Sequence, residues 1–126
     1  MAYSVKDHFA NKEPEVKATY DAIVKAAKQL GTVKEEAKKT SIHLVRKSAF
    51  AGVATRRNGL ILTLKSEVEV ENSRIHRREK ASASRWYFEV RVDSPVAVDS
   101  ELKAWLKASY EISGTWNLIA NPIVFD

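Results

Sequence analysis

Apolar residues at helical spacing predict that the chain begins with a helix. They share one stripe, which consists of Val16, Tyr20, Ile23, Val24, Ala27 and Leu30. Pro14 suits the first helical position, because an N–H there would have no partner within the helix. Gly31 suits the position after the last turn, where glycine tolerates a left-handed backbone. The pattern therefore predicts a helix from Glu13 to Leu30.

The middle of the chain has the content and alternation that are typical of strands, predicted over residues 40–46, 49–57, 60–69, 74–80 and 85–92. In the last of these, Trp86, Phe88, Val90 and Val92 share one face, and Arg85, Tyr87, Glu89 and Arg91 share the other. Asn58-Gly59 predicts a type I′ hairpin turn, which needs positive φ at both central residues. Arg57 would then lie opposite Leu60.

A second helix is predicted after Ser94-Pro95, with Asp99 or Ser100 as its N-cap and Gly114 as its end. Because the strands are grouped and do not alternate with helices, the pattern favours an α+β fold. We expect a mainly antiparallel sheet of about five strands, flanked by an N-terminal and a C-terminal helix on one face. Residues 1–114 would form a single domain. The apolar tail, 115–126, would pack on the domain or on a partner.

Composition narrows the classes of protein to consider. The 126 residues include no cysteine, which excludes disulfides and thiolate chemistry, and 44% are hydrophobic, as in ordinary globular domains. No apolar run is long enough to span a membrane, and the N-terminus does not resemble a secretory signal. We therefore expect a cytoplasmic protein with no membrane association.

Positive charge is concentrated in the predicted strands. The net charge is +5, and residues 38–91 contain 13 of the 21 lysines and arginines but only five of the 16 acidic residues. If these cations cluster on one face, that face attracts polyanions. The alternative is a basic surface that serves solubility alone.

Motifs for catalysis or metal binding are missing from the sequence. The three histidines lack metal-ligand spacing, and no phosphate-binding glycine loop or G-x-S-x-G turn occurs. Glu67, Glu69 and Glu71 would share a strand face if the strand continued that far, but a solvated charged edge produces the same pattern. We expect no catalytic residues, no metal and no cofactor.

The strongest candidate site is the polar face of the last hairpin. With a four-residue loop at 81–84, Lys80 would face Arg85, Arg78 would face Tyr87, His76 would face Glu89, and Arg74 would face Arg91. Cations that contact phosphates around an aromatic ring that stacks on bases are typical of nucleic-acid surfaces. The candidate residues are Arg74, Arg78, Lys80, Arg85, Tyr87 and Arg91, with Arg56 and Arg57 of the other hairpin as an extension. A solvated strand face is the competing interpretation.

Several stretches, taken in order, resemble an uncharacterised bacterial family, domain of unknown function 5655. They are Val5-Lys6-Asp7-His8-Phe9, Pro14-Glu15-Val16, Lys39-Thr40-Ser41-Ile42, Phe50-Ala51-Gly52-Val53, Arg85-Trp86-Tyr87 and Leu102-Lys103-Ala104-Trp105-Leu106-Lys107-Ala108-Ser109-Tyr110. The resemblance covers about Val5 to Tyr110. It implies a compact α+β domain, found alone or fused to other domains that include nuclease-like ones, with no established activity and no catalytic residues.

Two functional hypotheses follow from the sequence. The first is a non-enzymatic binding or accessory domain that engages nucleic acid or another polyanion through the basic strand face. The second is a domain that binds a small molecule or forms a homodimer, using the sheet face and the apolar tail. In the second hypothesis Trp116, Ile119 and Phe125 of the tail would line the pocket or interface.

Overall fold

The computed structural model describes residues 3–114, which form two α-helices and one six-stranded sheet. The elements are α1 (Pro14–Lys28), β1 (Lys34–Ala37), β2 (Ile42–Val45), β3 (Ala49–Arg56), β4 (Gly59–Ser66), β5 (Ile75–Ser82), β6 (Arg85–Val92) and α2 (Ser100–Ile112). Short 3-10 helices cover Lys6–Phe9 and Pro95–Ala97. The strand order is β1-β2-β3-β4-β6-β5, and every neighbouring pair is antiparallel.

The α+β fold with a mainly antiparallel sheet is confirmed, and the sheet has one strand more than predicted. The missed strand is β1, whose sequence Lys-Glu-Glu-Ala has no apolar alternation because it is a short edge strand. α1 ends at Lys28, two residues before the predicted end, whereas Asp99 caps α2 as predicted by accepting a hydrogen bond from the Leu102 N–H.

The core lies between the sheet and the two helices, which contact each other and the same two strands, β3 and β4. In the sheet, the residues that face the helices include Leu60, Leu62 and Leu64 of β4 and Phe88, Val90 and Val92 of β6. The helices pack against these residues with Tyr20 and Ile23 of α1 and with Leu102 and Leu106 of α2. Each such side chain contributes roughly 1.5–3 kcal/mol when removed from water. Most periodic apolar residues of the sequence are therefore in the core, whereas Leu30, Trp86 and Trp105 are only partly buried.

The turn between β3 and β4 differs from the predicted type I′ turn. Arg56 lies opposite Gly59 and Thr55 opposite Leu60, so the turn consists of Arg57 and Asn58. Neither of these residues has positive φ. Gly59 belongs to β4, where an added Cβ would meet the ends of the Asp93 and Arg91 side chains, which are flexible and can move aside. The predicted pairing of Arg57 with Leu60 was therefore wrong.

A serine of α2 joins the helix to the sheet where β3 and β4 separate. The last pair between these strands is Ala51 with Leu64. The next residue on each strand is Phe50 on β3 and Lys65 on β4. The Ser109 hydroxyl accepts a hydrogen bond from the Lys65 N–H, at 2.9 Å, and donates one to the Phe50 carbonyl. Ser109 is fully buried, so water does not replace these bonds. The side chain thus substitutes for the missing strand pair.

The Lys65 side chain is buried at the C-terminal end of α2. Its Nζ donates to the Ser113 hydroxyl at 2.9 Å and to the Ser48 hydroxyl at 3.2 Å. Ser113 is the C-cap of α2, where the partial negative charge of the helix end favours a cation. Burial, together with the positive charge of Arg85, lowers the pKa of Lys65 to about 8.

Replacement of Ser109 by alanine should destabilise the protein, because it leaves two buried backbone groups without partners. We expect Ser109→Ala to lower the free energy of unfolding by about 2–4 kcal/mol, measured by urea denaturation. The control is Lys107→Ala, at an exposed position of the same helix, which should change it by less than about 0.5 kcal/mol. Equal effects of the two substitutions would show that Ser109 does not hold this junction together.

The lowered pKa of Lys65 predicts a specific dependence of stability on pH. Between pH 8 and the unfolded-state value of 10.5, the unfolded chain keeps a proton that the folded protein has lost. The free energy of unfolding should therefore rise with pH in this window, by at most about 1.4 kcal/mol per pH unit from this group. The free energy of unfolding of Lys65→Met, measured by urea denaturation, should lack this dependence on pH. That of Lys107→Met should retain it. If the free energies of unfolding of the wild type and of Lys65→Met changed in parallel with pH, the dependence would not come from Lys65.

Candidate functional site

The structure divides the predicted basic face between the two sides of the sheet. Lys80 lies opposite Trp86, Arg78 opposite Phe88, and Arg77 opposite Glu89. The predicted register of this hairpin was wrong, because its turn has two residues, Ala83 and Ser84, and the pairing shifts on β5 between Lys80 and Ser82 and between Ile75 and Arg77. Arg78 and Lys80 consequently share the side of Phe88 and Trp86, which faces the helices. Tyr87 and Arg91 face the open side.

Arg74 stabilises the N-terminal end of α2. Its Nη1 donates to both carboxylate oxygens of Asp99, at 3.0 and 3.2 Å, and to Glu101, at 3.0 Å. Its Nη2 donates to the Ala97 carbonyl, and the guanidinium lies over the Trp105 ring. The Leu102 N–H and Arg74 together lower the pKa of Asp99. Arg74 is therefore committed to internal partners.

Arg91, Arg56 and Arg57 lie at the other end of the sheet from the β5–β6 turn. Arg91 donates to Asp93 at 2.6 Å and to Asn58 of the β3–β4 turn at 2.8 Å. Leu60 is opposite Val92, whereas Ser66 is opposite Trp86, six residues further along β4. At about 3.3 Å per residue, this separation is about 20 Å. Arg56 and Arg57 are exposed, but they do not adjoin Lys80 and Arg85.

Four cations lie along β5 and at its turn, and we name Arg77, Arg78, Lys80 and Arg85 the basic edge. Arg78 and Lys80 are on the side of Phe88 and Trp86, whereas Arg77 is on the side of Glu89, so both sides of the sheet meet at this edge. β5 is the outer strand, and each of its residues from His76 to Ser82 is exposed. Arg78 pairs with Glu69 at 3.5 Å, and Arg77 pairs with Glu79 at 3.2 Å and with Glu89 at 3.6 Å. Exposed pairs of this kind are worth only about 0–1 kcal/mol. Sequence reasoning did not select Arg77, because the wrong register placed His76 opposite Glu89.

Two of the four residues in the basic edge have no ion pair within residues 3–114. Lys80 extends over the ring of Trp86, with Nζ 5.9 Å from its centroid. Arg85 lines a cavity of about 530 Å³ between the end of β4 and α2, which Glu67 and Glu111 also border. The Arg85 Nε is buried and has no hydrogen-bond partner. A buried donor without a partner is uncommon and marks a position where an added acceptor is favourable.

Tyr87, which the sequence placed on the exposed polar face of the strand, is partly buried. Burial raises its pKa, and the residue lies opposite Glu79 and beside Lys65 in the sheet. Its role as a base-stacking residue stays a prediction.

The acidic run after β4 does not form a strand face. β4 ends at Ser66, so Glu67, Glu69 and Glu71 follow the strand in a loop, and Glu69 pairs with Arg78. Within residues 3–114, no group of three or more histidine or acidic side chains is placed to hold a metal ion. No helix in this part of the chain is long and apolar enough to cross a membrane.

The predicted interface residues Trp116, Ile119 and Phe125 lie outside the described residues. Their role in binding or dimer formation therefore stays a prediction.

Comparison with known proteins gives a family but no activity. A search of curated proteins and a search of solved structures found no match. The model of one family, described as "Domain of unknown function (DUF5655)", matches residues 5–113. This range includes every strand and both α-helices of the fold. The resemblance noted in the sequence is thus confirmed, and the chain belongs to the DUF5655 family.

Proposed function

We propose that this domain is a non-enzymatic accessory module that binds a polyanion, nucleic acid in particular, through the basic edge. The observation that carries the proposal is an exposed outer strand with three cations, beside an Arg85 whose Nε lacks a hydrogen-bond partner. Arginine guanidinium groups match phosphate oxygens through paired N–H donors, and lysine adds a compact charge. A phosphate chain that follows the outer edge of β5 would meet Arg78 and Lys80 from one side of the sheet and Arg77 from the other.

The internal ion pairs of the basic edge do not prevent this binding. The side chains of Arg77 and Glu79 are 61% and 64% exposed, so their mutual attraction is weakened by water. A phosphate can take the place of such a carboxylate at little cost. Arg74 differs, since two carboxylates, a carbonyl and an aromatic ring hold it. We therefore exclude Arg74 from the binding surface and add Arg77.

The geometry favours recognition of charge over recognition of sequence. Contacts to phosphates carry no information about the bases, and they make affinity fall steeply with salt. Trp86 supports Lys80 from the side that faces the helices, so the lysine ammonium group is held near the strand. We expect weak, sequence-tolerant binding with dissociation constants of roughly 10⁻⁴–10⁻⁶ M at physiological salt.

Fluorescence anisotropy with a labelled single-stranded oligonucleotide, at several salt concentrations between 50 and 200 mM, tests this surface. The variant Arg77→Ala/Lys80→Ala/Arg85→Ala should reduce the slope of log K against log salt by about 2, at about 0.7 for each lost phosphate contact. The matched control is Lys39→Ala/Lys103→Ala/Lys107→Ala, which removes three exposed cations elsewhere and should keep the slope within about 0.5 of wild type.

Two results would overturn the proposal. Equal changes in slope for the two triple variants would mean that total charge, and not the basic edge, causes the binding. Absence of wild-type binding at 50 mM salt would mean that the basic edge does not bind nucleic acid at all.

A further inference from the structure

A cleft of about 610 Å³ lies beside α1, near the β1 edge of the sheet. β1 and β5 are opposite edges, so the cleft is remote from the basic edge. Its borders are α1, the residue Glu35 of β1 and Val5 before the first 3-10 helix. Sites for small molecules in proteins have volumes of about 300–1,000 Å³. The cleft is thus large enough for a ligand with one or two rings.

The lining of the cleft combines an apolar floor with a fixed polar group. Val5 is partly exposed and supplies apolar surface, whereas Tyr20 and Val24 form the base of the cleft and are only 1% and 7% exposed. The Tyr20 ring packs against Phe9 with centroids 5.1 Å apart. The Tyr20 hydroxyl donates to the Glu35 carboxylate at 2.5 Å. Burial and this carboxylate raise the pKa of Tyr20, so the phenol stays neutral and keeps its proton. The Tyr20 hydroxyl is consequently bound to Glu35 before any ligand arrives.

Charge at the rim favours an anion. The rim carries three lysines and two carboxylates, and both carboxylates already have partners in the structure. Asp21 accepts from Lys17 at 2.8 Å, and Glu35 accepts from Tyr20, with the Lys28 Nζ 4.0 Å away. Lys25 has no ion pair within residues 3–114. Lys25 is therefore available to a ligand, and Lys28, one turn further along α1, can exchange its long contact with Glu35 for a contact with the ligand.

We propose that this cleft binds a small amphipathic anion, such as an aromatic or aliphatic carboxylate, sulfonate or phosphate ester. The apolar body would lie on Val5 and on the aliphatic stems of the rim lysines, and the anionic group would contact Lys25 and Lys28. Gln29 lines the same end of the cleft and can donate a hydrogen bond to the ligand. This site is independent of nucleic-acid binding, because it shares no residue with the basic edge.

The test uses the full chain, labelled with ¹⁵N and titrated with 8-anilinonaphthalene-1-sulfonate as an anionic probe. We expect saturable amide shifts along α1 and at Glu35, and few on β5. Lys25→Gln/Lys28→Gln should weaken this binding by about 3- to 10-fold, from two partly exposed charge contacts. The neutral analogue N-phenyl-1-naphthylamine should bind this variant and the wild type alike. The control variant Lys39→Gln/Lys107→Gln should bind the anionic probe as the wild type does.

The outcomes separate this proposal from the nucleic-acid proposal. Shifts that map to another surface, the absence of saturable shifts, or unchanged affinity in Lys25→Gln/Lys28→Gln would each overturn the cleft assignment. An oligonucleotide that displaces the probe would also contradict it, because the two sites would then overlap. Loss of oligonucleotide binding in the basic-edge variant, with normal probe binding, would support both assignments.

Discussion

The requirement that buried backbone groups be hydrogen-bonded determines how α2 and the sheet fit together. β3 and β4 separate after Ala51 and Leu64, which would leave the Phe50 carbonyl and the Lys65 N–H without partners inside the protein. Ser109 supplies both partners from α2, and Lys65 in turn binds the C-cap residue Ser113. Arg46 completes this end of the fold, since it stacks on Tyr110 and donates to the Tyr110 carbonyl. The orientation of α2, and of the core beneath it, depends on this junction.

The two edges of the sheet have different properties, and the candidate sites follow from that difference. β1 has four residues, and its Glu36 pairs with both Lys34 and Lys38, which leaves little charge there. β5 has eight residues, is exposed along most of its length and carries the cations of the basic edge. Charged residues and register shifts on an outer strand also hinder pairing with other strands. The cations of β5 therefore hinder pairing of this edge with other strands, and they form the surface that we propose for an anionic partner.

Sequence reasoning succeeded where a pattern is local and failed where distant residues meet. The periodic apolar residues of α1 and α2 and the alternation in β6 correspond to buried positions, because burial of one face is what selects them. β1 was missed because a short edge strand buries too little to show alternation. The sequence around Arg74 contains no pattern that predicts its binding to Asp99 and Glu101, which follow it by 25 and 27 residues.

The sequence by itself determined the α+β class, the core residues, the absence of cysteine chemistry and the concentration of positive charge in the strands. Only the tertiary structure decided which cations share a surface. The reason is that side chains of a strand alternate between faces, so one bulge or a turn of two residues in place of four moves a whole set of side chains to the other side. Such shifts in the β5–β6 hairpin place Arg78 and Lys80 on the opposite side of the sheet from Tyr87 and Arg91. The candidate surface is therefore the basic edge and not the predicted strand face.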